Sequence, residues 1–365
     1  MIKAMANRPI TAFACATPVG YALSALFVLG SFAVGMLFGM DEKIRVLNYV
    51  LFAAAALLML IAIMPVGMPW SLGVKPLMLE KIPQDGDSIN QLTFLHFTFA
   101  VQNLTTACWL VFLACFACKV LSGSLVLAYF LTAAAWGLFN MYGKHADKVG
   151  LDRRLMPIQM GLLGVIAIAL IVGVLVEAKV IDLYGADDDV DDVDEGTFTD
   201  TAAAVVSTAE DEGEARRQLS KIRYYPALIS LDAPKFWMIV MAIKVICYSL
   251  FAIFKTPAFL KSFLPAKPPP NEYVAQQSYV YVRATALEMI FQQAFTLVGL
   301  RYASPEEVAL FAGMQWLVMT VLFVFYTTKS SLYGMDSSTL APFIALFAFM
   351  VGVLLPYAGT TLSFA

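Results

Sequence analysis

The chain has 365 residues, of which 60% are hydrophobic and only 14% charged; its mean hydropathy is +0.75 and its formal net charge −3. This composition excludes an ordinary soluble globular domain and fits a polytopic membrane protein. No basic patch with interleaved aromatics is present, which argues against a nucleic-acid partner.

Lys3 and Arg8 precede a long apolar run with no small-residue cleavage site after a short core, so the run reads as a retained first span. It covers Pro18–Met40 and carries Gly35 and Gly39 in the G-x-x-x-G spacing of closely packed membrane helices. Helix-length apolar runs follow at Val46–Met68, Thr93–Leu121, Leu125–Tyr142 and Met160–Glu177. A second series occupies Phe236–Phe254, Tyr279–Leu300, Val308–Thr327 and Leu340–Tyr357. The expected fold is therefore all-α, with about nine transmembrane helices.

Two segments interrupt the pattern. Leu183 to about Ser220 is rich in Asp, Glu, Thr, Ala and Gly, includes the acidic run Asp187–Glu195, and lacks an apolar face, as expected of a solvated tether. Leu264–Pro270, LPAKPPP, reads as a stiff extended spacer. The five cysteines form no loop framework. Cys115 and Cys118 make a C-x-x-C inside a helix-length run, where small buried helix residues are the default reading over a redox pair.

The two series match each other. Met141–Asp152 and Phe325–Asp336 both close an apolar span, and Tyr142, Gly150 and Asp152 align with Tyr326, Gly334 and Asp336. Pro157 and Pro342 then stand at the start of the next span in each series. The reading is a tandem pair of parallel four-helix repeats behind one extra N-terminal helix. Its segments are 1–45, a first unit 46–178, an acidic linker 179–233 and a second unit 234–365.

Tyr281, Thr285, Glu288, Gln292 and Thr296 recur at helical spacing and put one polar stripe along the run Tyr279–Leu300. A carboxylate on such a stripe faces protein or a wet cleft. Lys244, mid-way along Phe236–Phe254, lies at matching depth and is the expected partner of Glu288. At the corresponding face of the first unit, His96, Asn103 and Thr106 keep polarity without charge, and His96 lacks companions at metal-ligand spacing.

The sequence VRATALEMIFQQAFTLVGL, followed by RYASPEEVALFAG, resembles the second helix and following loop of the MAPEG family, membrane-associated proteins in eicosanoid and glutathione metabolism. The likeness is strongest over Phe236–Tyr357 and weaker over Val46–Glu177. The family's glutamate falls on Glu288, while its asparagine position holds Thr285 and its leading arginine position Tyr281; Arg283 stands two residues out of register. The third helix keeps Tyr326 but has no arginine. The resemblance implies a cytoplasm-facing cleft in the second unit that takes glutathione or a lipid-like ligand, with Tyr281, Arg283, Thr285, Glu288, Gln292, Lys244 and Tyr326 as ligand-binding residues. Glutathione is the cofactor it suggests; the transferase constellation is incomplete, so catalysis stays open. Two other readings stand beside it: a non-catalytic scaffold or accessory subunit of a larger membrane complex, and a small-solute transporter gated by Lys244 and Glu288. Expected partners are membrane lipids and either other membrane subunits or further copies of the chain. An endomembrane is slightly favoured.

Lysines and arginines of the short loops, such as Lys75, Lys144, Arg153, Lys255 and Lys329, gather on the side of the N-terminus, which places that side in the cytoplasm. Labelling of intact membranes should therefore reach Asp187–Glu195 only from the side opposite Lys144–Arg154; label entry into both from the cytoplasmic side would refute this topology.

Overall fold

The computed structural model describes residues 45–67, 73–74, 83, 85–141, 148–150, 156–181, 233–264, 269, 272–328 and 330–359. The expected first span Pro18–Met40 and the acidic run Asp187–Glu195 lie outside the described residues, as does most of Leu264–Pro270. Among the described residues all regular structure is helical. The helices are α1 (Val46–Gly67), α2 (Gly86–Phe116), α3 (Val120–Met141), α4 (Met156–Glu177), α5 (Ala233–Phe254), α6 (Thr256–Phe263), α7 (Glu272–Tyr302), α8 (Pro305–Thr328), α9 (Ser330–Tyr333) and α10 (Ser337–Gly359). Seven of them, α1 to α5, α8 and α10, are long and apolar enough to cross a membrane. The protein is an α-helical, multi-pass membrane protein. The polar stripe of α7 keeps it out of that set, although it is as long as α2.

Local chemistry fixes the helix ends. The Asp85 carboxylate accepts from the Ser88 amide at 2.7 Å and caps α2. Ser304 and Glu307 cap α8 reciprocally: the Ser304 amide donates to Glu307 Oε2 at 2.8 Å, and the Glu307 amide to Ser304 Oγ at 3.3 Å. Pro305 occupies the first helical position, where its missing N–H costs nothing. Asp336 accepts from the amide and the hydroxyl of Ser338, which pulls its carboxyl below the usual range.

Two sets of four long helices follow one another. Their lengths are 22, 31, 22 and 22 residues in α1–α4, and 22, 31, 24 and 23 in α5, α7, α8 and α10. In the first set α1 packs on α2 and α4, and α3 on α4; in the second α5 packs on α7 and α10, and α8 on α10. Gly150 and Gly334, each shortly before the fourth helix of its set, share a positive φ, 65° and 72°. That left-handed conformation disfavours any residue with a Cβ. The aligned Tyr142 and Asp152 lie outside the described residues.

The sets meet through α2 and α7, which run parallel: Tyr281 packs on His96, Glu288 bonds Thr106, and Gly299 abuts Phe112. Each of the two also touches the other set's third helix, α2 with α8 and α7 with α3. At the N-terminal end of this seam the Val149 carbonyl accepts from Gln277 Nε2 at 2.9 Å, and Tyr333 of α9 stacks on Phe94. At the other end Arg45 pairs with Glu177, and Asn48 Nδ2 donates to the Ala114 carbonyl at 2.6 Å, tying α1 to α4 and α2. Large apolar side chains such as Leu131, Ile158, Val165, Ile168 and Phe349 face outward, while α2 is buried along nearly its whole length. This inverts the soluble pattern and suits a lipid surround.

The close approach of α2 and α7 needs a small residue at Gly299, where a Cβ would come within 2.8 Å of Phe112 Cε1 and 3.2 Å of Val308 Cγ2. Replacing Gly299 by Val should therefore wedge the seam and cost about 1–3 kcal/mol, read as a lower melting temperature in detergent. An unchanged melting temperature would mean that the helices do not touch here.

Candidate functional site

The polar stripe of α7 faces inward, as its spacing predicts, and its centre forms a continuous hydrogen-bonded chain. Glu288 is buried, 5% exposed. Its Oε2 accepts from Thr106 Oγ1 of α2 at 2.6 Å, and its Oε1 from the Tyr129 hydroxyl of α3 at 2.7 Å. One turn on, Gln292 Nε2 donates to Thr106 Oγ1 and to the Gln102 carbonyl, both at 3.0 Å. Gln292 Oε1 accepts from Gln315 Nε2 of α8 at 2.7 Å, and Gln315 Oε1 accepts from Trp109 Nε1 at 2.8 Å. The chain crosses four helices, α3, α7, α2 and α8, and every link but Gln292–Gln315 joins the two sets.

The physical logic is satisfaction. A carboxylate removed from water costs several kcal/mol unless donors replace its hydration. Two hydroxyls supply them here. Gln292 uses both donors and its acceptor, and a buried amide left half-bonded would cost about 1–3 kcal/mol. Thr106 accepts from Gln292 while donating to Glu288, so each bond orients the next.

The remaining predicted residues scatter. Lys244 was expected beside Glu288, and no ion pair joins them: Lys244 is exposed on α5, whose Met241, Ala242, Val245 and Ser249 turn inward instead. Depth counted along the chain gave no information on rotation about the helix axis. A gate built on the two charges loses its geometric basis. Arg283 is half-buried and its Nε donates to Thr256 Oγ1 of α6 at 2.8 Å, tying the short helix to α7. Thr285 is half-buried. Tyr326 lies at the seam through α8, its hydroxyl 2.6 Å from Thr98 Oγ1. The site residues thus divide among the core chain, the α6–α7 contact, the Thr98 contact and an outer face.

Sequence reasoning missed Tyr129, Gln315, Trp109 and Gln102. Tyr129, Gln315 and Trp109 are lone polar side chains and Gln102 contributes its main-chain carbonyl, and only the mutual position of the helices brings them together. Asn103, the residue aligned with Glu288, is buried but takes no part in the chain; Gln102 beside it does.

At the N-terminal end of the seam lies a different cluster. His96 and Tyr281 are 4% and 5% exposed, with ring centroids 5.0 Å apart and edge to face. Both imidazole nitrogens and the Tyr281 hydroxyl make no hydrogen bond among the described residues. Gly73 sits against His96. Nothing near it assembles a metal-ligand set: no group of three His, Cys, Asp or Glu forms among the described residues. Cys115 and Cys118 are both reduced at the far end, where burial first, then the nearby Glu177 carboxylate, pushes the Cys118 thiol up to about 12.

Searches against protein-family models, curated proteins and solved structures return no match to this chain.

The network predicts a graded response. Tyr129→Phe strips one donor from Glu288 and should cost about 1–3 kcal/mol. Thr106→Val removes a link to both Glu288 and Gln292 and should cost more. Lys244→Met should change stability by less than about 0.5 kcal/mol. Unfolding of the purified protein in detergent measures all three; a larger loss at Lys244 than at Thr106 would overturn the assignment.

Proposed function

We propose that the protein is a non-catalytic membrane subunit built from two MAPEG-like four-helix units of common origin, with about nine spans in all. The matched helix lengths, the recurrent pairings and the paired left-handed glycines support the duplication. The observation that carries the functional reading is the use of Glu288 and Gln292. The residues that a MAPEG-like site would turn toward a ligand spend their hydrogen bonds on Thr106, Tyr129, Gln102 and Gln315. A carboxylate with both oxygens bonded inside the bundle is a clasp between units rather than a free recognition group.

A second reading has one observation in its favour. The unpaired polar atoms of His96 and Tyr281 form a buried polar spot on the basic, cytoplasm-facing side of the expected topology. A small polar ligand entering there would satisfy them, in keeping with the glutathione or lipid-like ligand that the resemblance implies.

One experiment separates these readings. A protease site inserted between residues 200 and 210 allows the purified protein to be cut in the linker. The subunit reading expects the halves to stay together through gel filtration in mild detergent, and to separate when Thr106→Val and Glu288→Leu are combined. It also expects no saturable uptake of glutathione in equilibrium dialysis. Halves that part on cleavage alone would overturn it, and saturable glutathione binding lost in Tyr281→Phe would establish the second reading in its place.

A further inference from the structure

Lys244 stands apart from every other charge on the seven candidate spans. Asp87, Glu177, Lys235, Glu306 and Glu307 all lie within three residues of a helix end, where water or headgroups are in reach. Lys244 is ten residues from the nearer end of α5, about 15 Å of helix rise. A four-carbon stem recovers less than half of that distance. The side chain is also turned away from the bundle. It stands at the border of an exposed apolar stripe, Phe236, Ile239, Ile243, Cys247, Leu250 and Phe254, set at three- and four-residue steps, and lies one turn from Cys247.

An apolar stripe alone needs no explanation in a membrane protein. An ammonium at its border, half-way along its length, does, because acyl chains offer it nothing, and intramembrane charges are held by pairing. No carboxylate of the described bundle is free to do this: both oxygens of Glu288, the one carboxylate deep in a helix, are bonded to Thr106 of α2 and Tyr129 of α3. The run Thr17–Met40 of the same chain contains no Asp or Glu. A second copy docked face to face about a two-fold axis would bring Lys244 against Lys244, adding repulsion to desolvation.

The geometry points to a docking surface on the outward face of α5 for a transmembrane helix of another protein that carries an aspartate or glutamate at mid-membrane depth, paired with Lys244. This rests on the reading of the chain as a subunit and names the chemistry of its partner. The pair supplies specificity, since an apolar helix can lie along the stripe only by leaving the ammonium bare. The apolar residues supply close packing on both sides of it. Cys247, one turn from Lys244, reports on the same surface.

The test uses the full chain in vesicles with synthetic leucine–alanine peptides of about 20 residues, long enough to span the bilayer. Each peptide carries one central residue and a cysteine three residues to either side. Under a mild oxidant, the peptide with central Asp should form a disulfide mapped to Cys247 by mass spectrometry. Leu in place of that Asp should reduce the yield at least about tenfold at equal peptide density. Lys244→Leu should abolish the preference for Asp, and Lys244→Glu should transfer it to a peptide with central Lys. Lys244 is outside the core, so these variants fold as the parent does, and their melting temperatures check this. Crosslinking indifferent to the central residue, a preference for Asp that survives Lys244→Leu, or preferential Cys247–Cys247 linkage between copies would each overturn the proposal. Separation of the cleaved halves would instead strike the subunit reading, and it leaves this measurement independent.

Discussion

The Glu288 carboxylate can occupy the middle of an apolar bundle because two hydroxyls, each from a different helix, aim at its two oxygens. That requirement sets much else. Thr106 brings α2 alongside α7, and Tyr129 brings α3 to the same carboxylate. Gln292 and Gln315 extend the chain to α8 and end it on Trp109. Apolar packing inside a membrane cannot by itself select one arrangement, since acyl chains are as good a surround as Leu or Val. Polar groups with a definite number of donors and acceptors can. The register of α2 against α7 is therefore fixed by hydrogen bonding, and the apolar contacts follow it.

Two helices of the same set handle a charged residue in opposite ways. The carboxylate on α7 is enclosed and satisfied, at the expense of a helix too polar for its length to resemble a membrane span. The ammonium on α5 stays on the outside of a helix that is otherwise apolar. Enclosure gives internal cohesion and leaves little capacity for recognition. Exposure gives the reverse. The division of labour between inner and outer charge is a property of helix rotation.

The helices were legible because a run of some twenty apolar residues has few other fates. The inward stripe on α7 was legible for the same kind of reason: five polar residues at steps of three and four have a common direction. Tyr326, singled out through its match to Tyr142, does reach the seam, where it meets Thr98. The partners of Glu288 were not legible. Tyr129 and Thr106 each belong to a helix whose pattern carries no directional signal, α2 being buried on nearly all sides and α3 mostly facing out. Lys244 had the wrong azimuth, and a sequence of apolar residues of similar size around it holds almost no azimuthal information. The resemblance that linked Glu288 to ligand binding concerned one helix; the hydrogen bonds that occupy Glu288 come from the other set.

The buried state of α2 has a consequence for how the protein is made. Thr106 and Gln292 are 186 positions apart. At ordinary synthesis rates the gap between their emergence is roughly 10–40 s. Throughout that interval α2 exists without α7, carrying Gln102, Thr106 and the Trp109 indole into a bilayer that offers them no partners. A nascent chain in this condition must keep α2 at the membrane surface, shelter it beside the insertion machinery, or pair it transiently with α1 alone. Biogenesis of this fold is thus a problem of waiting, and the half-made protein is the form most exposed to misassembly.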